Sequence, residues 1–407
     1  MPSTLPDGDP APADGGLPPS ALAGIGSRRF GVYVHVPFCA SRCGYCDFNT
    51  YTATELGGGA SQADYALTVA RELELAATVL GPDRPSASTV FFGGGTPTLL
   101  PAEDLIALLG SVCDGFGLAP DVEVTTEANP ESVDLDCLRA LRRGGFTRIS
   151  FGMQSTAPGV LAVLERQHTA GRATQAVAEA HRAGFEHVNV DLIYGTPGET
   201  DEDWRRSLTA AVDSGADHVS AYSLIVEPGT RLAARVGRGE LPMPDEDVLA
   251  DRYAIAEEVL GAAGFEWYEV SNWAKTPSAR AHHNLLYWTG ADWWGAGPGA
   301  HSHIGGVRWW NVKHPRDYAE RLMARRSPAA ARESLTDEER RTERVLLELR
   351  LSDGLPLAVL DAEGVQAADR AAAEGLLEPA ALADGVARLS FRGRLLADSV
   401  VRDLLPA

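Results

Sequence analysis

Short runs of β-branched and aromatic residues alternate with longer helical patterns from residue 30 to residue 263, and this alternation restricts the fold more than any other feature. Six candidate strands are predicted at 31–36, 89–92, 121–126, 148–152, 187–193 and 218–224. Helices are predicted at 63–80, 102–113, 134–143, 158–183, 202–213 and 245–263. Because repeated β-then-α units build a parallel sheet with right-handed crossovers, we predict an α/β fold, a partial (β/α)6 barrel. Its chemistry should lie at the C-terminal ends of the strands.

The composition changes along the chain and predicts four segments. Residues 1–28 are rich in Pro, Gly and Ala, which predicts a disordered tail. The barrel is predicted over 29–264. An aromatic-rich segment follows over 265–334, holds seven of the eight tryptophans and is predicted to close the barrel.

Residues 335–407 form the last predicted segment. Thr336 and Glu339 make a capping-box pattern that opens a helix, and apolar residues flank a turn at Asp384-Gly385. Helices followed by a hairpin predict a small α+β, winged-helix-like domain. Many such domains bind DNA, but an acidic composition favours protein docking here.

Charge and cysteine usage exclude several classes of protein. The 407 residues carry a formal net charge of -20, which argues against non-specific nucleic-acid binding. No apolar run approaches the roughly 18 residues of a membrane span, and residues 1–28 lack the pattern of a secretory signal. Five cysteines are few, and their number is odd. We therefore predict a cytoplasmic protein whose clustered cysteines bind metal.

Three cysteines follow the first predicted strand in a C-x3-C-x2-C pattern: Cys39, Cys43 and Cys46. One interpretation is a structural zinc site, which needs four ligands and would have to recruit His35. The other is a [4Fe–4S] cluster, which usually takes four cysteines. With three thiolates, one iron would keep an open position for an outside ligand.

Polar residues and glycines also follow the later strands. The second strand ends in Phe92-Gly93-Gly94-Gly95-Thr96-Pro97, and a glycine run lets backbone approach a ligand closely. Glu127 ends the third strand, Gln154 the fourth, and Asp191 lies in the fifth. Parallel strands place all of these groups on one rim.

The cysteine pattern after the first strand of a partial barrel resembles the radical S-adenosylmethionine (SAM) superfamily. The resemblance extends over roughly residues 30–310. It implies a [4Fe–4S] cluster on the three cysteines, whose open iron chelates SAM and whose electron cleaves it to a 5′-deoxyadenosyl radical. By the same resemblance the SAM contacts are Tyr33, Gly94, Gly95, Thr96 and Glu127. Contacts to SAM or to a second ligand are Tyr45, Gln154, Arg166 and Asp191.

Two features divide the most similar branch, which contains oxygen-independent coproporphyrinogen III dehydrogenases and HemW-type haem chaperones. The dehydrogenases have a further cysteine where this chain has Phe48. The chaperones have an H-N-x-x-Y-W motif, which corresponds here to His283, Asn284, Tyr287 and Trp288. That motif is associated with haem, with His283 as the candidate iron ligand. His282, His301 and His303 are competing ligands. The bland alternative is that His283 only forms hydrogen bonds within an aromatic core.

The resemblance therefore implies a chaperone that binds a [4Fe–4S] cluster, SAM and haem and delivers haem to acceptor haemoproteins, with respiratory proteins as candidate acceptors. The alternative is an oxygen-independent coproporphyrinogen III dehydrogenase, which decarboxylates its substrate to protoporphyrinogen IX in porphyrin biosynthesis. A third interpretation is a radical enzyme that acts on haem itself. No catalytic residue is assigned.

Overall fold

The computed structural model describes residues 7–56, 62–167 and 169–405, and a large mixed sheet forms its centre. The strands of this sheet are β1 Asp9–Pro10, β2 Phe30–Val36, β3 Ala87–Gly94, β4 Leu118–Ala128, β5 Arg148–Gln154, β6 His187–Tyr194, β7 His218–Ser223, β8 Glu266–Glu269, β9 Asn272–Ala274, β10 Asp292–Ala296, β11 His301–Ile304, β12 Val307–Asn311 and β13 Ala329–Ser334. Two further short strands, β14 Leu355–Pro356 and β15 Val386–Ala387, pair with each other near the C-terminus.

The α-helices lie between these strands and beyond them. They are α1 Pro19–Leu22, α2 Ala53–Leu56, α3 Gln62–Leu80, α4 Ala102–Phe116, α5 Leu135–Arg143, α6 Pro158–Val163, α7 Arg172–Ala183, α8 Asp201–Asp213, α9 Arg231–Gly237, α10 Glu246–Ala262, α11 His282–Trp288, α12 Pro315–Met323, α13 Asp337–Glu348, α14 Ala362–Ala373, α15 Pro379–Ala383, α16 Phe391–Leu395 and α17 Ala397–Leu404. Among the described residues, no helix is both long enough and apolar enough to span a membrane.

The six predicted strands are confirmed as β2 to β7, which lie side by side in chain order and pair in parallel. Side chains on β2 such as Val32 and Val34 are fully buried, since a strand inside a parallel sheet is covered on both faces. The C-terminal ends of all six strands therefore meet at one rim, which is where the sequence places the polar residues.

The aromatic-rich segment does not form a separate layer. Its strands extend the sheet at both edges: β9 pairs antiparallel with β7, and β10 pairs parallel with β2. The predicted closure of the barrel is therefore wrong, because the sheet continues through β11, β12 and β13 on one side and β8 on the other. Most of its tryptophans, such as Trp273 and Trp310, are buried in the core that this sheet covers.

Two other predictions differ from the structure. The helix predicted over 158–183 is two helices, because Glu165 and Gly171 adopt positive φ angles of 53° and 78° between α6 and α7. The described part of the predicted disordered tail, 7–28, packs on the fold. Its strand β1 pairs with β13, and Ala21 and Ile25 are buried.

The C-terminal residues have an apolar core of their own, made by side chains from Val345 to Leu404. The predicted capping box is confirmed, since Thr336 and Glu339 each hydrogen-bond the other's backbone at the start of α13. The predicted hairpin is different. A short helix, α15, occupies the connection, and Leu377 and Leu389 form a single antiparallel bridge across it.

Candidate functional site

A cavity of about 420 Å³ opens at the C-terminal rim of the parallel strands. Residues from the loop after β2 and from the ends of β3, β4, β5 and β6 line it together. Eleven of the sixteen predicted site residues are in its lining: Cys39, Cys43, Tyr45, Cys46, Gly94, Gly95, Thr96, Glu127, Gln154, Arg166 and Asp191. Parallel strand ends thus bring residues from positions 39 to 191 into one site.

The cysteine loop is tied down at both ends. The Cys39 amide donates to the Tyr51 carbonyl at 3.0 Å, and the Gly44 amide donates to the Leu164 carbonyl at 3.0 Å. Asn49 anchors the far end, since its amide Nδ2 donates to the carbonyls of Pro298 and Lys313 at 3.0 and 2.9 Å. Sequence reasoning missed Asn49. The loop therefore holds its thiols over the cavity.

His35 lies beneath this loop. It is almost fully buried, and its two ring nitrogens hydrogen-bond the Tyr33 hydroxyl and the Asn49 carbonyl, both at 2.9 Å. Burial lowers the pKa of His35 to about 4, so the ring is neutral. With both nitrogens engaged, His35 supports the loop and is not a fourth metal ligand.

The thiols are suited to a cationic centre. Burial raises the pKa of Cys39 to about 11 and also raises that of Cys46, and in both cases neighbouring thiolates add to the shift. Cationic iron would favour the thiolate forms. Among the described residues no three His, Cys, Asp or Glu side chains converge as ligands of a single ion. Three cysteine thiols on one loop, all lining the same cavity, are the donor set that would hold an iron–sulfur cluster.

Gly94 and Gly95 explain how the C-terminal end of β3 contributes to the cavity. Gly94 has a φ of 111°, and a Cβ there would lie 2.6 Å from the His35 ring. A Cβ at Gly95 would lie 2.5 Å from the Phe38 carbonyl oxygen. Glycine is therefore required for the backbone of β3 to pass this closely beneath the cysteine loop.

Two partly buried carboxylates line the cavity. Glu127 accepts a hydrogen bond from the Gly94 amide at 3.0 Å, and burial together with the charge of Asp191 raises the pKa of Glu127 to about 8. Asp191 accepts from the Ser150 hydroxyl at 2.7 Å and from Asn189 Nδ2 at 2.8 Å, while burial raises its pKa. These groups can accept hydrogen bonds from the hydroxyls and amines of a bound ligand.

Sequence reasoning missed the supports of Asp191. Asn189 precedes it by two residues, so both side chains lie on the same face of β6. His218 and Tyr268 continue the network, with His218 Nδ1 2.5 Å from Asn189 Oδ1 and His218 Nε2 2.7 Å from the Tyr268 hydroxyl. The sequence signal for these supporting residues was the alternation of polar residues with apolar ones along a strand that is otherwise buried.

Gln154 and Arg166 hold unsatisfied polar groups at the rim. Gln154 has a positive φ of 67°, lies beside a bulge in β5, and its Oε1 is buried without a hydrogen-bond partner. Arg166 donates to the Gly152 carbonyl at 2.9 Å and lies 3.7 Å from Cys43 Sγ, but its Nε is also unpartnered. Backbone strain and unpaired buried polar atoms are typical of a site that awaits a ligand.

The structure does not place Tyr33 in this cavity. Tyr33 lies in the middle of β2, three residues before the end of the strand, with its ring 6.1 Å from Phe91 and 6.3 Å from His283. Its hydroxyl bonds His35 instead. In this structure Tyr33 therefore supports the cavity from below.

The H-N-x-x-Y-W residues lie at the opposite end of the strands. Helix α11 carries them, and His283 is almost fully buried beside the first residues of the strands. Its Nδ1 lies 2.7 Å from the Thr89 hydroxyl, and its Nε2 lies 2.9 Å from the Tyr287 hydroxyl. Burial lowers its pKa to about 3. In this structure both ring nitrogens are engaged in hydrogen bonds within the protein, and His283 as an iron ligand stays a prediction.

The rest of the motif surrounds this histidine. Tyr287 packs edge-on against Trp293 at 4.7 Å, and Trp288 hydrogen-bonds the buried Glu269. Asn284 is partly exposed. Among the competing ligands, His303 is mostly buried, with Nδ1 2.9 Å from the Ala291 carbonyl and Nε2 accepting from the Gly306 amide. His282 and His301 are partly exposed, and none of these residues reaches the cysteine cavity.

The sequence profile of the radical SAM superfamily matches residues 33–211. The Heme chaperone HemW of Mycobacterium tuberculosis is 56% identical over 94% of this chain and 97% of its own length. HemW of Bacillus subtilis is 34% identical over 79% of this chain and 84% of its own. Coproporphyrinogen III oxidase (HemN) of Escherichia coli, described as a radical SAM enzyme, shares the fold at a TM-score of 0.79 and 23% identity, over 94% of this chain and 92% of that one.

The fold and the cysteine cavity thus define a radical SAM protein. Within that superfamily, the identity to HemW over nearly the whole length of both chains shows that this chain belongs to the HemW family of haem chaperones. The 23% identity to the oxidase supports a common fold and nothing further about activity.

Proposed function

We propose that this protein is a haem chaperone that binds a [4Fe–4S] cluster and SAM at the strand rim and delivers haem to acceptor haemoproteins. The observation that carries the proposal is the convergence of three thiols, two partly buried carboxylates and two side chains with an unpartnered polar atom in one cavity, in a chain that belongs to the HemW family.

The cavity residues divide the work by their chemistry. Cys39, Cys43 and Cys46 would hold the cluster, which supplies a single electron and an open iron position when bound. Glu127 and Asp191 would accept hydrogen bonds from SAM, and the unpartnered Oε1 of Gln154 would take a ligand donor. The bare backbone at Gly94 and Gly95 leaves room beside these groups.

Arg166 lies between the cysteine loop and the rest of the cavity lining. Its Nη1 contacts Cys43 Sγ, whereas its Nε is buried without a partner, on a side chain that lines the cavity. A guanidinium can pair with a carboxylate. We therefore assign Arg166 to the cluster edge and to the carboxylate of a bound ligand.

Phe48 argues against the decarboxylase alternative. It lines the cavity with 47% of its surface exposed, and it occupies the position of the dehydrogenases' further cysteine. A phenyl ring offers no thiol, donor or titratable proton. The same proposal includes a cytoplasmic location and delivery of haem to acceptor haemoproteins. It also includes docking of those acceptors on the C-terminal unit, which was predicted to be winged-helix-like.

Anaerobic reconstitution followed by two separate assays tests this function. The reconstituted protein should bind haem with a saturable change in its absorbance spectrum, and it should not decarboxylate coproporphyrinogen III when SAM and a reductant are present. Phe48→Cys is the informative variant, because it restores only the missing thiol. Enzyme-like turnover by the native chain would overturn the proposal.

A further inference from the structure

Glu72 on α3 carries a buried carboxyl group that the site described above does not use. Its side chain is fully buried, and the groups that donate hydrogen bonds to it are neutral. Removing a carboxyl group from water without a cationic partner costs free energy, and an apolar side chain would avoid that cost. The contacts of this carboxyl group therefore indicate what it does.

Three donors from the far edge of the sheet and from α12 hold this carboxylate. Its Oε2 accepts from the Gly297 amide at 2.8 Å and from the Tyr318 hydroxyl, and its Oε1 accepts from Asn311 Nδ2 at 2.8 Å. Asn311 Nδ2 also donates to the Gly297 carbonyl at 2.9 Å. Glu72 therefore binds the N–H group of Gly297 directly and its C=O group through Asn311.

Gly297 belongs to the turn over 297–300, which joins β10 to β11 and packs closely against the supports of the cysteine loop. Gly297 has a φ of 109°, and a Cβ there would lie 2.5 Å from the His35 carbonyl oxygen. Gly299 has a φ of 77°, and a Cβ there would lie 2.6 Å from Asn49 Nδ2. Both positions require glycine, so the turn touches His35 and Asn49 without intervening side chains.

Asn49 connects this turn to the cysteine loop. Its Nδ2 donates to the Pro298 carbonyl at 3.0 Å, and its Oδ1 accepts from the Tyr51 hydroxyl at 3.2 Å. The Tyr51 carbonyl in turn accepts from the Cys39 amide at 3.0 Å. Asn49 also follows Cys46 by only three residues. A displacement of the turn would therefore reach both the first and the last cysteine of the loop.

We propose that Glu72 is a positioning residue for the cluster, because it fixes the 297–300 turn, which fixes the cysteine loop through Asn49. The proposal rests on the cluster site of the proposed function and deepens it, since it names the residues outside the cavity that set the geometry of the thiols. Ligands of a metal centre work only when their supports hold them within about 0.5 Å of the productive geometry. Loss of such a support typically lowers affinity by roughly 10- to 100-fold.

Two substitutions that preserve side-chain size test the proposal. Glu72→Gln replaces one acceptor oxygen with an NH2 group, which would oppose a donor from Gly297 or Asn311. Asn49→Asp removes the donor to Pro298 but keeps the acceptor for the Tyr51 hydroxyl. The matched control is Glu123→Gln, which makes the same change in another buried glutamate that accepts from two backbone amides.

The measurements use anaerobically reconstituted full-length protein. Equilibrium dialysis gives the SAM affinity, and electron paramagnetic resonance of the reduced cluster gives a signature of its geometry. Glu72→Gln and Asn49→Asp should each weaken SAM affinity about tenfold and alter the spectrum. Glu123→Gln should keep both at native values, even where it lowers the free energy of unfolding. Since both test residues act on one turn, the double variant should lose no more affinity than the weaker-binding single variant.

Native SAM affinity and a native spectrum in both test variants would overturn the proposal, whatever their stability. Equal losses in the Glu123→Gln control would also overturn it, because any weakened buried glutamate would then have the same effect. If Glu72→Gln fails to fold, Tyr318→Phe removes a single donor to the same carboxylate, and native values in Tyr318→Phe and Asn49→Asp would overturn the assignment. A native protein that takes up no iron would instead contradict the proposed function.

Discussion

Glu123 and Glu127 lie four residues apart on β4, and they show how differently the two ends of this strand are built. Glu123 accepts hydrogen bonds from the amides of His282 and His283 at 3.1 and 2.9 Å, and it is paired with the buried Arg148 at 3.7 Å. Glu127 has one backbone donor and the repelling charge of Asp191. At the lower end of the strands, opposite the rim, the Glu123 carboxylate has three partners within the protein, whereas the Glu127 carboxylate at the rim has one and can accept hydrogen bonds from a ligand.

This difference also separates two kinds of sequence motif. The cysteine and glycine motifs lie at the rim, where buried atoms of Gln154 and Arg166 lack partners. The H-N-x-x-Y-W motif lies at the lower end, where both ring nitrogens of His283 are engaged. A motif that resembles a ligand site can therefore serve to fasten a helix under a sheet.

The largest expected effect at the rim is loss of the cluster. Cys39→Ala, Cys43→Ala and Cys46→Ala should each abolish it, because no spare thiol lines the cavity among the described residues. Iron analysis after anaerobic reconstitution should give about four irons per native chain. Cys113→Ala and Cys137→Ala, which lie outside the cavity, should retain that iron. Stoichiometric zinc in place of iron would contradict this assignment.

At the lower end, removal of Glu123 should destabilise the protein strongly. Glu123→Ala leaves the buried Arg148 guanidinium uncompensated and removes two acceptors from the start of α11. Loss of one partner of a buried pair costs about 3–5 kcal/mol in the free energy of unfolding. Urea denaturation measures the change, with Glu127→Gln as the control on the same strand. Equal losses in the free energy of unfolding for the two variants would contradict the difference between the lower end and the rim.

SAM affinity should depend on the carboxylates at the rim and not on residues at the lower end of the strands. Glu127→Ala and Asp191→Ala should each weaken SAM affinity by roughly 10- to 150-fold, the equivalent of about 1.5–3 kcal/mol for a hydrogen bond to a charged group. Equilibrium dialysis on cluster-loaded protein measures this. His283→Gln, at the lower end, should leave SAM affinity within about twofold provided that the variant folds. Native affinity in both rim variants would place SAM elsewhere.

The smallest predicted effect concerns pH. Burial raises the folded-state pKa of Glu127 to about 8, and the unfolded value is near 4.3. The proton that the folded state retains adds stability below the unfolded pKa, and this contribution is lost as pH rises through 8. Glu72, whose pKa burial raises to about 7, acts in the same direction.

The free energy of unfolding of cluster-free protein should therefore fall between pH 5.5 and pH 8. In Glu127→Gln that fall should be measurably smaller, because the variant carries no titrating carboxyl at this position. Urea denaturation at the two pH values measures both slopes. Identical slopes in the native protein and the variant would remove Glu127 as the cause.

The rim could be predicted from sequence because each of its elements is local. A strand with its terminal polar residue, such as Asp191 on β6, is a short pattern, and parallel topology collects such patterns on one edge. The break between α6 and α7 also had a local signal in Gly171, although the helical pattern concealed it.

The features that could not be predicted from the sequence depend on contacts between distant parts of the chain. Composition predicts disorder for residues 1–28, but β1 gains order by pairing with β13, which lies more than 300 residues later. The burial of His283 depends on Thr89 and Glu123 from two other strands. A six-residue motif cannot reveal whether its histidine faces a ligand or the core.

We propose that the rim chemistry of this protein serves haem delivery. Its most direct test is haem transfer from the loaded, cluster-containing protein to the apo form of a respiratory haemoprotein, followed by the absorbance of the acceptor. We expect a stoichiometric gain of haem by the acceptor, with no conversion of coproporphyrinogen III under the same conditions. Retention of the haem by this protein, together with enzyme-like decarboxylation, would contradict it.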